Sequence, residues 1–203
     1  MQVALTRDAV VEAALAVLDA DGLDAVTMRA LARRTGVTAS TLYWHIRDKD
    51  ALQVALADQI MAPALDALPA LAGTVDDRAW LFAASTALRD ALRAHRDGAR
   101  VVAGARDSFA RAEFSDAAMA ALVARGVALG DARIRVLAVE RFTVGYVLEE
   151  QAPAPTSAPP DLAEFERRMP TATRAIREYF AAGHTAADVF TDTLRSVVGM
   201  SGA

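Results

Sequence analysis

Helix punctuation near the N-terminus constrains this chain more than anything else in it. Thr6 precedes an amphipathic run with Val10, Ala14, Val17 and Leu18 on one face, and Gly22 follows as a stop. Thr27 can cap a second helix carrying Leu31 and Ala32, which Gly36 ends. Thr38 then caps a short third helix, and Asp48 a fourth that starts at Lys49 and runs towards Met61. A stop and a new cap separated by a single residue leave room only for a tight turn between the second and third helices. A helix-turn-helix makes that demand, with a small residue at the crossing, a residue tolerant of positive φ at the turn, and facing apolar anchors. Ala32, Gly36, Leu31, Val37 and Leu42 stand at those places.

Strand signals are nearly absent beyond this head, so the fold class expected is all-α. Amphipathic segments run from Asp76 to Ala94, Ser108 to Arg125 and Asp131 to Glu150, with two more helices around Phe165 to Phe180 and Ala186 to Val198. The stretch QAPAPTSAPP, Gln151 to Pro160, reads as an extended loop because proline removes backbone donors and restricts its predecessors. The expected division is a helix-turn-helix head at 1–50, a linking helix at about 49–65, and a C-terminal helical domain at 66–203.

With 203 residues, 54% of them hydrophobic, the chain can bury a sizeable core. The lack of cysteine removes disulfides and thiolate metal sites. The start MQVALTRDAV has no basic region before an apolar run, and Pro63, Asp66 and Pro69 interrupt the apolar stretch at 60–75. A cytoplasmic protein without membrane association is therefore expected. A net charge of −4 argues against indiscriminate binding to polyanions. Between Ala25 and Lys49, however, Arg29, Arg33, Arg34, Arg47 and Lys49 face a single acid, Asp48. The basic segment coincides with the helix-turn-helix.

On the third helix Leu42 and Ile46 share a face, Ser40 and Trp44 point away from it, and Thr41 and Tyr43 lie on its flanks. Small and hydroxyl side chains at its start, Thr38, Ala39, Ser40 and Thr41, suit base edges in a major groove, and the larger groups behind suit sugar and phosphate. Tyr43 can instead pack against the first helix. Lys49 stands in the first turn of a helix, where a cation opposes the macrodipole unless an anion such as a DNA phosphate is near.

These residues carry a resemblance. The segment from Leu5 to Leu56, with TLYWHIRDKDAL at Thr41 to Leu52, resembles the DNA-binding domain of the tetracycline-repressor (TetR) family. AHRDGARVVAGAR, Ala94 to Arg106, and RFTVGYVLEEQ, Arg141 to Gln151, resemble parts of the tetracycline repressors' ligand-binding domain. The resemblance implies a homodimer that binds a palindromic operator in double-stranded DNA and is released when a small effector enters the C-terminal domain. It places Arg29 on a guanine, Thr41 and Trp44 on bases or their methyl groups, and Thr27, Tyr43, His45 and Lys49 on phosphates. Met28, Ala39 and Ser40 stand where the tetracycline repressors carry Thr, Gln and Pro, which implies a different operator.

The same resemblance implies a different effector. Leu65 and Val102 occupy positions of histidines that bind the drug and its magnesium, and Ala84 that of an asparagine. Leu and Val cannot ligate magnesium, so neither metal nor cofactor is expected. Arg106 and Glu149 match. Leu65, Leu88, Val102, Ala118 and Phe142 would wall a pocket for a largely apolar molecule. Arg141, flanked by Val139, Phe142 and Val144, is expected to be buried. It would then form an ion pair with Glu149 or Glu140, or act as counter-ion to a ligand carboxylate or phenolate.

Catalysis is not expected. His95-Arg96-Asp97 opens like a kinase catalytic loop, but Val102 stands where that loop needs asparagine, and the chain has none. Phosphate-binding glycine loops and nucleophile elbows are also missing. A second class stays open: a dimeric helical interaction protein that has lost operator binding. Operator protection separates the two.

Overall fold

The computed structural model describes residues 5–74, 76–154, 156 and 161–200. Among these it contains eleven α-helices and no strand, so the all-α expectation holds. The chain forms two compact units, Met1–Gln151 and Ala152–Ala203.

The head of the first unit comprises α1 (Arg7–Asp21), α2 (Met28–Thr35) and α3 (Ala39–His45), with a 3-10 turn at Leu23–Ala25. Each expected cap is made by the expected side chain. Thr6 accepts from the Ala9 N–H, Thr27 from Ala30 and Thr38 from Thr41, at 3.1, 3.1 and 3.3 Å. Asp48 accepts from Ala51 at 2.7 Å. Each such cap stabilises its helix by about 1 kcal/mol. Gly36 ends α2 at φ +70°, a left-handed turn that side-chain-bearing residues resist. Val10, Ala14, Leu18, Leu31, Leu42 and Ile46 close the head's core.

The rest of this unit comprises α4 (Lys49–Ala67), α5 (Asp77–Arg93), α6 (Gly98–Gly104), α7 (Phe109–Ala124) and α8 (Leu129–Glu150). Helix α4 packs on α5, α6 and α7, and α8 packs on the same three. By length and composition Lys49–Leu71 could cross a membrane, yet Leu52, Leu56, Ile60 and Met61 are buried inside the bundle. Pro63 sits within α4 without ending it, its ring exposed to solvent.

In the second unit α9 (Leu162–Arg168), α10 (Pro170–Ala181) and α11 (Ala186–Val198) follow one another. The single helix expected at 165–180 is two, because Pro170 disfavours helical geometry at Met169, which takes φ −131° and ψ +58°. Pro170 then begins α10, where a missing N–H costs nothing. Of the expected extended loop, Pro155 and residues 157–160 lie outside the described residues.

Candidate functional site

Helix α3 presents its polar side outward. Trp44 is 88% exposed and Tyr43 51%, so Tyr43 is not a core residue packed away against α1. At the helix start the Thr38 hydroxyl lies 2.7 Å from that of Ser40 and 2.9 Å from that of Thr41, a cluster of groups able both to donate and to accept. Ala39 and Ser40 are exposed, Thr41 and His45 half-buried. On the flanking elements Thr27, Arg29 and Lys49 are exposed as well.

Charge pairing separates the head's cations. Arg47 is tied to Asp48 at 2.7 Å, which holds the Asp48 carboxyl below its usual range after the larger effect of the Ala51 N–H. Arg29, Arg33, Arg34 and Lys49 have no carboxylate partner among the described residues. A row of unpaired cations beside an outward hydroxyl and aromatic surface is suited to a polyanion.

The head is fastened to the bundle through the segment before α6. Asp97 adopts φ +57°, a left-handed conformation that aspartate tolerates, and its carboxylate accepts from the Leu23 N–H at 2.7 Å. His95 Nδ1 lies 3.1 Å from Asp19, and the Arg96 guanidinium donates to the Ala20 carbonyl at 2.8 Å. Arg100 forms a two-pronged pair with Asp24 at 2.8 and 3.1 Å, which lowers the Asp24 carboxyl.

Further along, Gln53 of α4 donates to the Val101 carbonyl of α6 at 3.2 Å. Asp58 of α4 accepts from Ser108 Oγ at 2.6 Å and from the Ala110 N–H at the start of α7 at 3.1 Å. Gln151 donates to the Leu92 and His95 carbonyls and accepts from the Ala99 N–H, closing α5 and opening α6 with one amide. None of these residues stood out in the sequence, because each acts across more than forty positions.

The expected effector residues divide. Ala84, Leu88, Val102 and Ala118 are buried inside the bundle. Leu65 is half-buried and borders an apolar cleft of about 650 Å³, together with Leu68, Pro69, Trp80, Ala121 and Arg125. Arg106 is exposed and lines a separate, smaller hollow with Asp50, Gln53 and Asp107. Phe142 is half-buried, its ring 5.7 Å from that of Tyr146, and Glu149 is exposed.

The burial and internal ion pair expected for Arg141 are not found in the single chain. Arg141 is exposed and makes no ion pair with Glu149 or Glu140; Glu140 is the buried group, 4% exposed, and accepts from Ser115 Oγ at 2.5 Å. The inward stripe of α8 is Val136, Val139, Glu140, Thr143 and Val147, and one further residue turns Arg141 by about 100° off it. Thr143 Oγ1, one turn beyond Glu140, is buried without a partner.

Burial raises the Glu140 carboxyl above its ordinary value, against the smaller lowering effects of Ser115, Arg111 and Arg141. The folded state therefore binds this proton more tightly than the unfolded chain. Its stabilising contribution is complete below the unfolded value and is lost as pH rises through the folded one. Glu140→Gln, which keeps an oxygen for Ser115, is thus expected to melt higher than the parent at neutral pH. The gap should vanish at pH values below the carboxylate range, and a gap of constant size in thermal scans across pH would refute the assignment.

Comparisons with known proteins agree with this architecture. The family model for bacterial regulatory proteins of the tetR family matches residues 10–56, and that for the tetracyclin repressor-like C-terminal domain matches residues 68–198. The class A tetracycline repressor protein from transposon 1721 of Escherichia coli is 41% identical over 149 residues, which span 73% of this chain and 68% of that protein. A possible TetR family regulator from Streptomyces coelicolor A3(2) superposes with a TM-score of 0.78 at 33% identity, covering 95% of this chain and 97% of the other. BioQ, solved with its natural double-stranded DNA operator, superposes with a TM-score of 0.63 at 28% identity, covering 95% and 99%. The chain belongs to the TetR family of bacterial transcriptional regulators, with an N-terminal helix-turn-helix DNA-binding domain and a C-terminal ligand-binding domain.

Proposed function

We propose that the protein is a cytoplasmic repressor without catalytic activity, which binds a palindromic operator as a homodimer and leaves it when a small, largely apolar effector binds without a metal. The observation that carries the DNA half is the exposed, unpaired cation and hydroxyl surface about α3. In this reading residues 1–50 form the reading head and residues 66–203 the effector and dimerisation domain. Arg29, Thr41 and Trp44 address bases. Thr27, Tyr43, His45 and Lys49 address phosphates, and Thr38, Ala39 and Ser40 shape the helix start.

For the dimer, Phe190 and Leu194 are already buried in the single chain, whereas Val197 is exposed. Phe190 and Leu194 therefore have little surface left for a two-fold mate. Helix α8 carries a better surface: Ile134 and Leu148 are exposed on one side, and on that side nothing lies within 4 Å of a Cβ built on Gly145. A helix face of that kind is suited to a close two-fold mate. Arg141 and Glu149, exposed on the same helix, are read as facing it.

For the effector, Leu65 borders the cleft, Ala84 lies one turn along α5 from Trp80, and Ala118 is beside Ala117 on α7. Leu88 and Val102 continue the apolar interior. The bonds of Asp58, Gln53, Asp97 and Arg100 make a continuous physical route from α7 through α4 and α6 to the head. An effector acts along it only by favouring the arrangement in which the two heads are wrongly spaced for DNA.

Footprinting on DNA flanking the gene tests the reading. Protection is expected over a pseudo-palindrome with half-sites roughly 34–36 Å apart, or a multiple of that. Tetracycline with magnesium should not lift it, and EDTA should not change the affinity for the true inducer. Absence of protection on any flanking DNA would favour the interaction-protein alternative.

A further inference from the structure

The cleft is made by what α7 lacks. Ala117, Ala121 and Ala124 line it at intervals of four and three, a continuous strip of small side chains along one helix face, opposite Leu65, Leu68 and Pro69. The space they leave, about 650 Å³, lies within the usual size range of small-molecule sites. Its inner wall holds Trp80, only 2% exposed, and Arg125, whose guanidinium carbon lies 5.1 Å from the Trp80 ring centroid.

Arg125 is held in an unusual way. Nε donates to the Thr74 carbonyl at 2.9 Å, Nη1 to Ala121 at 2.8 Å and Nη2 to Leu71 at 3.3 Å. Carbonyl oxygens fix the fork but leave its charge uncompensated, and no carboxylate pairs with it among the described residues. A guanidinium has five N–H donors, so the three bonds leave two. A rigid, half-buried cation with spare donors in an apolar cleft is ready for an anion. A cationic ligand meets the opposite: Arg125 already covers the Trp80 face and repels it. Asp66, exposed at the mouth and unpaired, acts through solvent and is largely screened.

We infer that the cleft binds a flat, largely apolar organic acid, its ring system along the alanine strip of α7 and its carboxylate or sulfonate on Arg125. Arg125 thereby takes the counter-ion role that the sequence suggested for Arg141. The inference deepens the effector reading and rests on it only for the consequence of binding, since occupancy is measured without DNA.

The probes are the anionic dye 1-anilinonaphthalene-8-sulfonate and N-phenyl-1-naphthylamine, the same ring system without the sulfonate. Trp44→Phe leaves Trp80 as the single tryptophan, so quenching of Trp80 reports binding in this cleft. Both dyes are expected to bind saturably, and Ala121→Leu, which fills the strip, should weaken both about tenfold or more. Arg125→Gln should weaken the sulfonate about tenfold while changing the neutral dye less than about threefold. Because Arg125 also holds the 3-10 turn at Leu68–Leu71, Ala124→Asp gives a second route. It places a carboxylate at the cleft without touching those bonds and should expel the sulfonate selectively. Unchanged binding in Ala121→Leu would overturn the cleft as the site. Equal loss of both dyes in both charge variants would overturn the role of Arg125. A protein that takes the sulfonate as expected but protects no DNA keeps this inference and loses the regulator reading.

Discussion

Arg29→Ala is expected to weaken operator binding by about 1–3 kcal/mol at each half-site, and so by roughly 2–6 kcal/mol in a two-fold complex, and to relax the preference at one base pair in each half. The guanidinium is exposed, free of any carboxylate among the described residues, and carried on a helix whose first turn is fixed by the Thr27 cap. Its fork matches the paired acceptors of guanine, an arrangement no other base pair edge reproduces. Lys49→Ala provides the contrast. A point charge on phosphate reads no sequence, so its loss should weaken all duplexes alike and lower the salt slope by about one for each contact removed. Titrations at several salt concentrations on the operator and on single-base variants separate the two. If Arg29→Ala altered neither affinity nor base preference at fixed salt, its assigned role would be wrong.

What the sequence revealed and what it hid divide along the range of the interactions. The caps of Thr6, Thr27, Thr38 and Asp48 bond three residues ahead, so cap and helix are read together in one short window. The head and its outward surface followed from them. Helix α6 carries no helix signal in the sequence, because its seven residues begin from a left-handed Asp97 held by Leu23 and are opened by Gln151, partners that no local pattern reveals. Arg125 stands in the sequence only as a helix end, since its carbonyl partners on Leu71 and Thr74 lie more than fifty positions away. Arg141 is exposed in the single chain for a different reason. The apolar flanks were correctly seen, but a phase error of one residue moves a helical side chain from core to solvent, and Glu140 took the buried place. In the second unit the amphipathic pattern ran unbroken across Met169 and Pro170, and the proline's backbone restriction overrode it.

The glycines at the two ends of α6 give the sharpest test of how the head is held. A Cβ on Gly98 would stand 2.2 Å from the Leu92 carbonyl oxygen and 3.2 Å from its carbon. That oxygen belongs to the backbone of α5 and also accepts from Gln151, so neither helix can yield without parting from the other. A Cβ on Gly104 meets an equally short contact, 2.2 Å, but with the Nε2 of Gln53, the far end of a flexible side chain that can swing away. Gly98→Ala is therefore expected to destabilise the protein by about 3 kcal/mol or more, lowering the melting temperature by roughly 6–12 °C at fixed protein concentration. Gly104→Ala should cost far less, because alanine within a helix returns about 0.5–1 kcal/mol against the lost Gln53 bond to Val101. The two variants should also differ in DNA binding. Displacing α6 at its start strains Asp97 on Leu23 and Arg100 on Asp24, the bonds that set the head against the bundle, so Gly98→Ala should lose operator affinity even at temperatures where it is folded. Gly104→Ala keeps those bonds and should retain it. Equal melting of the two variants would mean that the Leu92 carbonyl yields as easily as the Gln53 side chain, and the rigid seat inferred for α6 would be wrong.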